Sequence, residues 1–138
     1  MIRRRSGFSL MELMVVLLII GLMGAAVTVA VRGARAQGRK TTAELEIRNI
    51  VDGLEMFNSI TARYPSQEEG LEILQQPIGE FSSGILKKKG RLKDPWGSAY
   101  LYVVTVDSIE PFEVISAGAD RREGTLDDIS SLTTEDDN

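Results

Sequence analysis

With 138 residues, the chain is long enough for one small domain and too short for two with separate cores. It has no cysteine and no histidine, which excludes a disulfide scaffold, a zinc-thiolate site, a thiol nucleophile and a Ser-His-Asp arrangement. The net charge of −4 gives no reason to expect nucleic-acid binding, and the composition as a whole argues against most enzymes.

The charge is unevenly spread. Leu13 to Val31 contains one polar side chain, Thr28, and from Phe8 to Val31 the only charge is Glu12. At 1.5 Å per residue a helix of that length reaches about 36 Å, enough to cross a hydrocarbon core of about 30 Å. The run is too long for the apolar stretch of a secretory signal peptide, and Arg32-Gly33-Ala34-Arg35 follows it, so a transmembrane helix fits better than a cleaved secretory leader. Arg3, Arg4 and Arg5 flank one end, and Arg32, Arg35, Arg39 and Lys40 the other, so charge alone does not orient the span. A carboxylate in an apolar helix costs a few kcal/mol to bury, so Glu12 must neutralise, reach water at the headgroup boundary or find a cation.

Beyond the apolar run, Ala43, Ile47, Ile50, Val51, Leu54 and Phe57 trace one face of a helix, and the reading of that stripe is packing against a sheet. Gly33 and Gly38 are weak points between the apolar half and the rest, and Tyr64-Pro65 ends the helix. Ser66 and Glu69 form a capping box that opens a short helix through Leu71. Gly79 to Gly90 is a loop in which Lys87, Lys88 and Lys89 read as solvated charge. Asp94-Pro95-Trp96-Gly97 is a turn leading into a strand over Ala99 to Val106. A hairpin turn through Asp107 to Glu110 leads to a second strand, Phe112 to Ser116, and a third lies within Ile129 to Leu132. The last residues, Thr133 to Asn138, form an acidic tail.

The loop Asp120-Arg121-Arg122-Glu123-Gly124-Thr125-Leu126-Asp127-Asp128 carries three aspartates. Flexible acidic loops can supply the six to eight oxygens, at about 2.3–2.6 Å, that calcium requires. The spacing is not an EF-hand, and from the residues alone a solvated loop with salt bridges to its two arginines is the simpler reading.

Arg5-Ser6-Gly7-Phe8-Ser9-Leu10-Met11-Glu12 followed by the apolar run resembles the type III signal of type IV pilins and pseudopilins. Several further pieces are similar to the major pseudopilins of the type II secretion system. They are Arg63-Tyr64-Pro65-Ser66 with Glu69-Gly70-Leu71 and Leu74, Asp94-Pro95-Trp96-Gly97 with Tyr100, and Ser116 to Asp120 with Asp127-Asp128-Ile129.

The resemblance implies an α+β, pilin-like fold: a long N-terminal helix, its first half transmembrane, packed on a small antiparallel sheet. It divides the chain into a basic leader (1–7), a transmembrane and assembly helix (8–31) and a periplasmic domain (32–138). A membrane peptidase and methyltransferase would cut after Gly7 and N-methylate Phe8, and the carboxylate of Glu12 would pair with the new ammonium of a neighbouring copy. The N-terminus would lie in the cytoplasm and the domain in the periplasm, anchored in the inner membrane and joined into a periplasmic filament. The implied partners are further copies of the chain, minor pseudopilins and inner-membrane platform proteins, with no nucleic acid. The implied cofactor is a calcium ion on the side chains of Asp120, Asp127 and Asp128 and the carbonyls of Ala117 and Thr125. One departure from the family pattern is Val29, where a proline is common, so a kink there has no evident cause.

The role that follows is a structural subunit whose filament drives export of folded proteins across the outer membrane. Within the same class, a type IV pilus pilin and a minor pseudopilin are the alternatives. An inert single-pass anchor never cut at Gly7-Phe8 is another. A signal-anchored periplasmic enzyme using Glu68, Glu69, Asp127 or Asp128 fits poorly, because adjacent acids point apart on a helix or strand.

Overall fold

The computed structural model describes residues 9–86, 92–105 and 109–133, without the side chains of 24–30 and 32. The first proline is Pro65, so nothing before it removes a helical donor, and the chain forms one 52-residue helix, α1, Leu10–Thr61. Ser9 starts it: its Oγ accepts the Glu12 N–H at 3.2 Å, and its carbonyl accepts the N–H groups of Glu12 and Leu13. The helix ends at Thr61, a little before the Tyr64-Pro65 boundary expected from proline sterics. Ala62 adopts φ +57°, its N–H returns to the Asn58 carbonyl at 2.8 Å, and the Thr61 hydroxyl bonds the Phe57 carbonyl.

The chain divides into two compact units at Gln37/Gly38, next to one of the two glycines marked as weak points, although α1 runs through both of them. In the first unit every described side chain is exposed, including the large apolar ones from Leu10 to Met23 and Val31. Among the described residues no helix is long and apolar enough to cross a membrane. The expected span continues through 24–30, whose side chains lie outside the described ones.

The second unit has its own core. Ala43, Ile47, Ile50, Leu54 and Phe57 are buried along one face of α1, as the stripe predicts, with Val51 at its margin. They pack against Leu71, Leu74, Leu86 and Tyr100 and against the inner face of a sheet contributed by Tyr102, Phe112, Val114 and Ile129. Full burial of such a side chain stabilises the fold by about 1.5–3 kcal/mol. The sheet has three antiparallel strands in chain order, β1 Leu101–Val104, β2 Phe112–Ser116 and β3 Ile129–Ser130. In register, Tyr102 faces Val114 and Ser116 faces Ile129. β2 alternates buried and half-buried residues, as expected of a strand with one face on the core.

β1 begins two residues later than predicted, and β3 occupies the first two residues of the expected Ile129 to Leu132. Val106, Asp107 and Ser108, of the expected strand end and hairpin turn, lie outside the described residues. Before β1, Lys93 and Ala99 form an isolated bridge around the Asp94 turn instead of extending the strand. After it, the Thr105 N–H closes on the Pro111 carbonyl. The capping box forms as expected: the Ser66 N–H donates to Glu69 Oε2 at 2.8 Å and the Glu69 N–H to Ser66 Oγ at 3.3 Å. It closes a single turn ending at Gly70, and the short helix beyond, Leu71–Gln75, is 3₁₀. The Lys87–Lys89 triplet and residues 134–138 of the acidic tail lie outside the described residues.

Candidate functional site

Gly7 and Phe8 lie outside the described residues; Glu12, the third member of the N-terminal group, occupies the first turn of α1 and is exposed. A carboxylate there interacts favourably with the positive end of the helix dipole. Among the described residues no cation pairs with Glu12. Ser9 caps this turn, and the Ser9-x-x-Glu12 spacing is the sequence signal for that cap.

The second candidate site is the loop between β2 and β3. It is anchored by Asp94, a buried carboxylate at the start of the Asp-Pro-Trp-Gly turn. Asp94 Oδ1 accepts the N–H groups of Trp96 (3.0 Å) and Ser98 (2.8 Å), which folds the turn. Its Oδ2 accepts the Ser116 hydroxyl at 2.8 Å, and Ser116 Oγ in turn accepts the Gly118 N–H at 3.3 Å. Gly118 has φ +62°, and a Cβ there would lie 2.2 Å from the Asp127 carbonyl oxygen. Only glycine lets the two ends of the loop approach this closely.

The loop holds its carboxylates on its own donors. Asp127 Oδ2 accepts the Asp120 N–H at 2.9 Å and its Oδ1 the Thr125 hydroxyl at 2.6 Å. These bonds, the hydroxyl first, hold the Asp127 pKa below the ordinary aspartate value. Asp128 Oδ2 accepts the N–H groups of Gly124 (2.7 Å) and Thr125 (3.3 Å). Asp120 Oδ1 accepts the Arg122 N–H at 2.8 Å.

The loop therefore brings Asp127 and Asp128 together around Thr125 and engages the Asp120 carboxylate separately. Among the described residues no three acidic side chains form a group that could hold a metal ion. The donors are of the hard-oxygen class calcium takes, but the third carboxylate is not gathered with the other two. Of the expected carbonyl donors, that of Thr125 accepts the Asp128 N–H at 3.3 Å, and Ala117 is buried at the end of β2. The ordinary salt bridges expected of Arg121 and Arg122 do not form among the described residues, where the ion pairs are Lys40–Glu44 and Arg63–Glu69.

Tyrosines tie the sheet to the rest of the second unit. Tyr100 donates to Glu46 Oε2 on α1 at 2.8 Å, and Tyr102 to the Pro65 carbonyl at 2.9 Å. Burial raises the pKa of both hydroxyls, with Glu46 adding to the shift at Tyr100, and pushes that of Tyr102 to about 12. Glu69 receives both guanidinium arms of Arg63, at 2.6 and 2.8 Å, as well as the Ser66 N–H. Both contacts are structural, which leaves Glu69 without the role of a free acid or base.

Residues 30–134 match the family described as type II secretion system protein G, and residues 2–28 match the prokaryotic N-terminal methylation motif. The chain belongs to the type II secretion system protein G family. It is 36% identical over 135 residues to the type II secretion system core protein G of Pseudomonas aeruginosa, with 94% of each chain covered. Against the protein of that name from Escherichia coli K12 the identity is 31%, covering 93% of this chain and 91% of that one. The fold resembles the major pseudopilin from the type 2 secretion system of enterohaemorrhagic E. coli, with a TM-score of 0.61 at 24% identity, covering 74% of this chain and 89% of that one.

Protein G family members are structural pseudopilin subunits and not enzymes, and the α+β, pilin-like fold expected from the sequence is the one observed. With the methylation motif, membership brings assembly into a pseudopilus, processing by a peptidase and a membrane-anchored place in the secretion system.

Proposed function

We propose that the chain is the major subunit of a periplasmic pseudopilus, polymerising through the first half of α1 to drive export of folded proteins across the outer membrane. The observation that carries this reading is the exposed apolar surface from Leu10 to Met23, interrupted by one acid, Glu12, in the first turn. Such a surface is stable only in lipid or against like surfaces. In a bundle of copies, Glu12 would pair with the ammonium of a neighbour cut after Gly7 and N-methylated at Phe8. Loss of one member of a buried ion pair leaves the other uncompensated, at a cost of about 3–5 kcal/mol.

The N-terminus would face the cytoplasm, with a single pass through the inner membrane and residues 32–138 in the periplasm. Minor pseudopilins and inner-membrane platform proteins would be its neighbours. Asp120, Asp127 and Asp128, with the carbonyls of Ala117 and Thr125, would hold one calcium ion once the Asp120 carboxylate turns from the Arg122 N–H toward the other two. The ion would neutralise the clustered carboxylates and fasten the loop to the sheet.

Intact mass and N-terminal sequence of the chain recovered from its native membrane test the processing. A mature chain beginning at N-methylated Phe8 is expected. A chain still beginning at Met1, in a host that processes its other pilins, would leave only an inert anchor. Glu12→Ala should be processed but fail to assemble; normal filaments from that variant would rule out the pairing.

A further inference from the structure

Among the described residues β1 ends the sheet, and one row of its backbone groups has no neighbouring strand there. The Thr105 N–H points to β2, where it meets the Pro111 carbonyl. By the alternation of an antiparallel ladder, the backbone groups of Tyr100, Tyr102 and Val104 therefore face outward. The sequence around them gives this edge no protection of its own. Ala99 to Val106 carries no charge and is rich in β-formers, the composition that invites pairing with an identical strand.

The outward row is nevertheless occupied at both ends. At one end the Tyr100 N–H donates to the Leu92 carbonyl at 3.1 Å. At the other, Gln67 Nε2 donates to the Tyr102 carbonyl at 2.6 Å, and Gln67 Oε1 accepts the Val104 N–H at 3.0 Å. A carbonyl and the N–H two residues on are the pair that one residue of a parallel adjoining strand would engage. The carboxamide of Gln67 supplies the same donor and acceptor. Its backbone is held in place by the Ser66–Glu69 capping box and by the Pro65 carbonyl, which accepts the Tyr102 hydroxyl. Between the two occupied ends lies an open groove of about 210 Å³, bordered by Leu71, Leu92, Tyr100 and Tyr102.

We propose that Gln67 is an edge lock: its side chain takes the place of a fourth strand on β1 and prevents β1 from pairing with β1 of a second copy. The partner is a second copy because an uncharged strand presents the same row of groups to itself and nothing that repels it. The proposal does not depend on how the N-terminal helices assemble.

The test compares the full chain in detergent micelles with Gln67→Ala and Gln67→Glu, reading amide hydrogen exchange at Val104 and mass by light scattering. In the native chain the Val104 amide is protected at all concentrations, with no growth in mass from edge pairing. In dilute Gln67→Ala the Val104 amide should exchange about two- to tenfold faster, as expected when a hydrogen bond worth about 0.5–1.4 kcal/mol is lost. On concentration this variant should grow in mass over the native chain, and protection at Val104 should return. Gln67→Glu keeps an acceptor for the Val104 N–H but puts a charge on the edge, so it should not grow. Unchanged exchange at Val104 in Gln67→Ala would overturn the proposal. Fast exchange without any growth in mass would also overturn it, and so would loss of cooperative melting, which would make Gln67 part of the fold instead of a lock upon it.

Discussion

Asp94 and Ser116, twenty-two residues apart, meet in a buried hydrogen bond of 2.8 Å that joins the Asp-Pro-Trp-Gly turn to the end of β2. The same aspartate folds its own turn through the Trp96 and Ser98 N–H groups, and the same serine receives the Gly118 N–H. The acidic loop thus starts from a fixed point inside the second unit. A loop that collects like charges needs such a point, because carboxylates close together repel one another unless donors or a cation compensate them.

Ser116→Ala removes that link without opening a large cavity. Asp94 Oδ2 would be left buried without its donor, and the variant should lose about 1–3 kcal/mol of stability. Chemical denaturation of the native chain and the variant, compared at constant slope, measures this loss.

Gly118→Ala attacks the other end of the link. A left-handed backbone costs a residue with a Cβ about 1–2 kcal/mol. Here the added atom would also lie 2.2 Å from the Asp127 carbonyl oxygen, so the loop must move. The expected result is a lower melting temperature with chemical-shift changes at Asp127 and Asp128; a melt equal to that of the native chain would contradict the close approach.

Arg63 and Glu69 give the second unit a defined acid response. Hydrogen bonds from Arg63, and then the Ser66 N–H, lower the Glu69 pKa from its ordinary 4.5 to about 2. Folding therefore gains from the ionised carboxylate at full strength above pH 4.5 and loses that gain as the pH falls toward 2. Arg63→Ala should flatten this part of the stability profile, and an unaltered acid limb would show that the pair contributes nothing there.

Tyr102 contributes to the alkaline limb. Burial pushes its pKa up from 10 to about 12, so the contribution of its neutral hydroxyl is complete below pH 10 and is lost as the pH rises through 12. Phenolate absorbance should lag that of free tyrosine, and Tyr102→Phe should flatten the loss of stability between pH 10 and 12.

Calcium should raise the melting temperature of the native chain. At a free concentration a hundredfold above its dissociation constant, a single site adds about 2.7 kcal/mol. Asp127→Ala should abolish the response. An unchanged melt in excess chelator would count decisively against the site.

The N-terminal signal, the apolar run and the stripe from Ala43 to Phe57 were legible in the sequence because each is a local or periodic pattern, and local patterns survive without knowledge of the fold. The capping box of Ser66 and Glu69 was legible for the same reason, since its partners are three residues apart. The three aspartates could be named, and their residence in one loop follows from their spacing. Only the tertiary structure decided how that loop is held. Asp94 reads as a turn residue until Ser116 is brought against it, and Gln67 reads as a surface polar residue until β1 lies beside it. Both roles join segments separated by more than twenty residues. Such bonds depend on the path of the backbone between those segments, which no short window of residues contains.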